Sequence, residues 1–174
     1  WSRGLGDVYK RQLFNLRDNG MTRALVFPGQ GSQAVGMGKE LAEAFPTARH
    51  VFEEVDETLQ QNLTRIMFNG PDDELRLTEN VQPALMAFSV AIVSVLRDEG
   101  KVSLLDLADY VAGHSLGEYT ALAAADAFSL AVTTRLLKLR GTTMQKAVPV
   151  GKGAMAALIG PTLEETKAIA ADAL

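Results

Sequence analysis

Ser115 stands between two glycines in Gly113-His114-Ser115-Leu116-Gly117, the G-x-S-x-G spacing that can lift a serine hydroxyl out of a tight turn and make it a nucleophile. The turn needs glycine two residues before and two after the serine, because backbone passes there too closely for a bulky Cβ. With a strand ending at Gly113 and a helix starting at the serine, the hydroxyl sits at the positive end of that helix. The Leu116 N–H is then placed to donate to an oxyanion. Ser115 with Glu118 also spells S-x-x-E, the capping box, which a purely structural helix start uses equally.

A second glycine turn, Phe27-Pro-Gly-Gln-Gly-Ser-Gln33, invites two other chemistries. Gly29-x-Gly31-x-x-Ala34 has the form of the dinucleotide fingerprint, which requires an acidic residue about 20 positions on, at the end of a second strand, to hold a ribose. The acids at that distance, Glu53 and Glu54, fall on a helix face. A phosphate loop fails as well: Gly38-Lys39 is followed by Glu40 and has no earlier glycine at the required spacing. What remains is a turn with free N–H groups at the same end of the sheet as Ser115, suited to a second oxyanion donor.

These turns need elements to carry them. Ala24–Phe27 reads as a short buried strand, ended by Pro28 and the glycines at 29, 31, 36 and 38. A helix follows from about Lys39. Pro46 opens another with Val51, Phe52, Val55 and Leu59 on one stripe and Glu53, Glu54 and Glu57 turned to water. After a loop at Asn69-Gly70-Pro71, a long helix carries Pro83 in its first turn and buries Leu85, Phe88, Ile92, Val93 and Leu96, before Gly100 stops it. Tyr110–Gly113 reads as a second buried strand, with a helix from Ser115 to about Ala125 and another from Ser129 to about Ala147. Gly153–Ile159 is a third strand candidate, and Pro161 with Thr162 starts a last helix. Short buried strands alternating with helices predict an α/β fold with a mainly parallel sheet.

Composition narrows the function. The 174 residues hold 17 Lys+Arg against 21 Asp+Glu, a net charge of −4 without a basic cluster, which argues against nucleic-acid and anionic-membrane partners. With no cysteine there are no disulfides, thiolate zinc sites or cysteine nucleophiles. The longest nearly apolar run, Pro83–Leu96, is shorter than the roughly 20 residues a spanning helix needs, so no membrane span is expected. Residues 1–20 show no secretion signal and no clean period. Patterning begins after Met21, which reads as the natural start; the leader reads as a translated adapter or a disordered arm outside the fold.

Five segments occur together in order: Pro28-Gly-Gln-Gly-Ser-Gln33, Thr78-Glu-Asn-Val-Gln-Pro-Ala-Leu85, Gly113-His-Ser-Leu-Gly-Glu118, Arg140-Gly-Thr-Thr-Met-Gln145 and Gly153-Ala-Met-Ala-Ala157. With them the chain from Met21 to Leu174 resembles the malonyl-CoA:acyl carrier protein transacylases of fatty acid synthesis; acyltransferase domains of polyketide synthases are near neighbours. The resemblance implies that Ser115 takes a malonyl group from malonyl-CoA and passes it to the phosphopantetheine thiol of acyl carrier protein, in ping-pong fashion. It also implies that the N–H groups of Leu116 and Gln30 form the oxyanion hole and that Arg140 holds the free malonyl carboxylate. A planar guanidinium suits that task, since it can bind a carboxylate through two parallel charge-assisted bonds. Apart from the resemblance, Arg140 also reads as an ordinary cation near a helix C-terminus. No metal or redox cofactor is implied, coenzyme A entering as part of the substrate, and the expected location is cytoplasmic.

One departure stands out. The family's general base is a histidine well downstream of the serine, and no histidine follows Ser115 here. His50 falls in the acidic helix. His114, next to the nucleophile, is expected to pack or hydrogen-bond near the site, because adjacent side chains in the elbow diverge. The chain therefore looks like an N-terminal portion of such an enzyme: residues 21–147 as the first part of a large α/β-hydrolase-like domain, and 148–174 as the start of a small ferredoxin-like subdomain. Two other readings remain open. A serine esterase or thioesterase shares G-x-S-x-G but lacks an HGGG-type loop here. A non-catalytic fragment that only binds acyl carrier protein would follow from a serine without its base.

Overall fold

The computed structural model describes residues 22–148, 152 and 158–172. Strands β1 (Ala24–Phe27) and β2 (Tyr110–Gly113) pair in parallel, Ala24 opposite Tyr110 and Phe27 opposite Gly113. Both fall where the apolar runs place them. A parallel pair cannot be joined by a tight turn. The crossover here is helical: α1 (Lys39–Ala44), α2 (Pro46–Leu59), α3 (Leu63–Asn69), α4 (Asp72–Arg76), α5 (Thr78–Asp98) and α6 (Leu104–Leu107). Helices α7 (Gly117–Ala124), α8 (Leu130–Ala147) and α9 (Leu163–Asp172) follow β2. The class is α/β, mostly helical with a small parallel sheet among the described residues. The third strand candidate at 153–157 and the leader lie outside them; Leu158 and Ile159, also expected in that strand, carry no regular structure.

The strands depart from expectation in burial. Phe27 is buried, and Leu25 and Val111 pack with it against Ala121 and Ala124 of α7. On the opposite face Val26 is 70% exposed and Tyr110 65% exposed. A run such as Ala-Leu-Val-Phe signals a strand covered on both sides, whereas the described elements cover one.

Helix α5 organises the rest. It starts at Thr78, so Pro83 lies inside the helix and not in its first turn. Helices α2, α4, α7 and α8 all pack against it. Its N-terminal half, Asn80–Ala87, is consequently buried on every side. The expected one-sided stripe does not hold: Leu85 is buried, Phe88 and Val93 are half-buried, and Ile92 and Leu96 are exposed. A helix surrounded by partners has no wet face to alternate with, so a period of 3.6 cannot reveal its inner residues. With 21 residues α5 is long and apolar enough to cross a membrane by length and composition, and its burial is that of a core helix. On α2 the reading holds, with Val51, Phe52 and Val55 buried and Glu53, Glu54 and Glu57 exposed. Phe52 meets Phe68 of α3 edge-to-face at 5.4 Å.

Helix α8 meets the start of α5 backbone to backbone at Gly141. A Cβ there would fall 2.6 Å from the Thr78 carbonyl oxygen and 2.7 Å from the Glu79 Cα. The missing side chain lets the backbone of α8 lie directly on the start of α5, and this sets how residue 140, its neighbour, meets α5.

Candidate active site

The chain leaves β2 through a hydrogen bond that extends the ladder, His114 N–H donating to the Phe27 carbonyl at 3.1 Å. Ser115 then adopts φ 55°, in the left-handed region, and α7 begins at Gly117, two residues later than the pattern suggested. Both glycines of the motif are required by contact. A Cβ on Gly113 would lie 1.9 Å from the Gly117 carbonyl carbon, and one on Gly117 would lie 2.4 Å from the Phe27 carbonyl oxygen. The capping box does not form. Helix α7 has no side-chain cap, and the Glu118 N–H donates to the Ser115 carbonyl at 3.2 Å and not to its hydroxyl. Ser115 is exposed at the head of the turn. The hydroxyl is therefore not tied up as a helix cap.

A left-handed serine costs the fold roughly 1–2 kcal/mol that glycine would not. Ser115→Ala and Ser115→Gly lose the same hydroxyl, but only the second relieves the backbone. Allowing for the greater chain entropy of glycine, we expect the glycine variant to be the more stable of the two by about 1 kcal/mol. Urea midpoints measured side by side check this; equal midpoints would show that the turn is unstrained.

The first turn stands beside the elbow. Phe27 and Gly113 are register partners, and Gln30 and Leu116 each lie three residues beyond them, at the same carboxyl end of the parallel pair. Their backbone N–H groups have no intramolecular acceptor among the described residues. The loop is folded on itself, with the Ser32 hydroxyl donating to the Gly29 carbonyl at 3.0 Å and the Gly31 N–H to Gln33 Oε1 at 2.8 Å. Gly29 is glycine because of His114: a Cβ there would be 2.3 Å from His114 Nδ1. The His114 ring thus faces Gly29. His50 is on the exposed side of α2 and lines a cavity with Glu54 and Arg97 that does not include Ser115.

Arg140 reaches the elbow from α8. Its Nη2 donates to Ser115 Oγ at 3.0 Å, its Nη1 donates to Gln82 Oε1 at 2.7 Å, and its guanidinium carbon lies 5.9 Å from the centre of the Tyr119 ring. It stands two turns before the helix end, where Lys146 is the terminal cation, so a role at the helix C-terminus does not describe it. Sequence reasoning missed Gln82, although it lies in one of the five segments. The available signal was a lone carboxamide in Val81–Ala87, where every neighbour is apolar. The site joins a nucleophile position, backbone donors and a cation. That set can take an acyl group whose far end is negatively charged.

Residues 24–174 match the family described as the acyl transferase domain. Among curated proteins, the chain is 47% identical over 146 residues to the malonyl CoA-acyl carrier protein transacylase of Bacillus subtilis (strain 168), covering 84% of this chain and 44% of the relative. Among solved structures, it superposes on an acyl-carrier-protein-S-malonyltransferase from Bartonella henselae with a TM-score of 0.80 and 54% identity, over 86% of this chain and 47% of the other. A structure of a type II polyketide synthase acyl-carrier protein in complex with its malonyl-transacylase matches at a TM-score of 0.76 and 44% identity, over 87% and 48%. The chain thus spans just under half the length of these relatives.

Proposed function

Because the chain belongs to the acyl transferase domain family, we propose that it carries the nucleophile half of a malonyl transfer from malonyl-CoA to the phosphopantetheine thiol of acyl carrier protein, in fatty acid synthesis. The observation that carries this reading is the 3.0 Å contact between Arg140 Nη2 and Ser115 Oγ, which puts a cation beside the nucleophile. Ser115 Oγ attacks the thioester carbonyl, and the N–H groups of Leu116 and Gln30 receive the charge that develops on its oxygen. The C–S bond breaks, coenzyme A leaves as a thiol, and malonyl remains as an ester on the serine. The carrier thiol then attacks that ester and Ser115 recovers its proton. Arg140 would hold the malonyl carboxylate in both halves. His114, turned to Gly29, supports the elbow and is not the base.

Acyl exchange between a thioester and a serine involves no net oxidation, so the reading calls for no redox group, and coenzyme A enters with the substrate. It also places 21–147 in the first part of an α/β-hydrolase-like core, supported by the strand-elbow-helix order, and 148–174 at the start of a small ferredoxin-like subdomain. A cytoplasmic location accompanies it.

The test is a half-reaction in the intact polypeptide carrying these residues. Mixing it with malonyl-CoA alone should release one coenzyme A per protein and leave an ester that persists until a pantetheine thiol is added. Continuous hydrolysis in the absence of a thiol would mark an esterase instead.

A further inference from the structure

The carboxamide of Gln82 is fully buried, and its two ends face different partners. Oε1 accepts from Arg140 Nη1 at 2.7 Å, while Nε2 meets only the thioether of Met144, at 3.4 Å. A guanidinium has donors alone and a thioether is a weak acceptor, so the amide has one sensible orientation, oxygen toward Arg140. The arginine is thus held at one terminal nitrogen while the other reaches Ser115 Oγ. Among the described residues no carboxylate forms an ion pair with Arg140. A neutral acceptor fixes the direction of the cation without cancelling its charge.

We propose that Gln82 is a positioning residue that keeps Arg140 oriented and unneutralised for an anionic acyl donor, so that selectivity for a diacid depends on the neutrality of this buried side chain. The inference rests on reading Arg140 as the partner of the donor carboxylate. A carboxylate at position 82 would occupy the point now held by Oε1 and would compete with the incoming one. An apolar side chain of similar length would leave the charge intact but release the guanidinium.

The experiment compares Gln82→Glu and Gln82→Met with wild type in the intact polypeptide, using malonyl-CoA and acetyl-CoA as donors. Gln82→Glu should raise KM for malonyl-CoA at least about tenfold with kcat nearly unchanged, and should leave acetyl transfer within about twofold, because only binding of the charged end is affected. Gln82→Met should lower the malonyl-to-acetyl preference by a smaller factor. A binding measurement independent of turnover uses malonate itself, which should raise the melting temperature of wild type and not of Gln82→Glu. Equal losses for both donors in both variants, or malonate stabilising Gln82→Glu as much as wild type, would overturn the proposal. A wild type that binds malonate in a Gln82-dependent way yet takes no acyl group on Ser115 would sustain it, and would overturn the transfer reading instead.

Discussion

Ser115→Ala is expected to abolish acylation by malonyl-CoA in the intact polypeptide, with transfer to the carrier thiol falling by about 10⁴-fold or more, because a covalent route disappears with its nucleophile. The loss should appear in kcat and not as a shift in KM. Peptide mapping by mass spectrometry after incubation with malonyl-CoA should place the added acyl mass of the wild type on Ser115 and on no peptide of the variant. Ser32 and Ser129 are the internal controls. Ser32 donates its hydroxyl to the Gly29 carbonyl, and Ser129 accepts from the Val132 N–H at the start of α8, so each is engaged in local structure. Acylation at either, persisting in Ser115→Ala, would refute the elbow assignment.

Arg140→Ala should separate two donors that differ only in a carboxylate. Arg140 is half-buried and is held by Gln82 from behind, so its partner on the substrate is only partly screened. Loss of such a charge pair costs about 2–3 kcal/mol, which corresponds to roughly 30- to 150-fold in kcat/KM for malonyl-CoA. Acetyl transfer should change little. Arg140→Lys should rescue in part, because a point charge cannot reproduce two parallel bonds in the plane of a guanidinium. Equal losses for both donors, accompanied by a lower melting temperature, would show that Arg140 supports the α5–α8 contact and that diacid selectivity resides elsewhere.

The legible parts of this chain were those governed by local rules. The two strands were bounded by proline and glycine, α8 by Ser129 as its cap, and α9 by Thr162, which exchanges hydrogen bonds with Glu165. The elbow was legible because its glycine spacing is a local pattern: Gly113 answers to backbone only four or five residues on, although Gly117 answers to the distant carbonyl of Phe27 on β1. What escaped depends on packing at a distance. The short helices α3, α4 and α6 span two turns or fewer, too little for a period to show, although Asn62 caps the first and the Ser103–Asp106 capping box opens the last. The true start of α5 was hidden by Pro83, whose usual place in a first turn pulled the expected boundary late. Gln82 and Arg140 are far apart in sequence, and nothing local shows that they touch. The same holds for Ser115 and Arg140.

The left-handed serine has a consequence for descent. Stability alone would favour glycine at position 115, and only chemistry keeps a side chain there. A lineage that gave up the reaction but kept the fold would therefore change position 115 to glycine while keeping the glycines at 113 and 117, which the backbone itself holds fixed. A relative with all three positions occupied by glycine would be read as a descendant retained for its shape, and the residue at 115 becomes a record of whether the catalysis was still under selection.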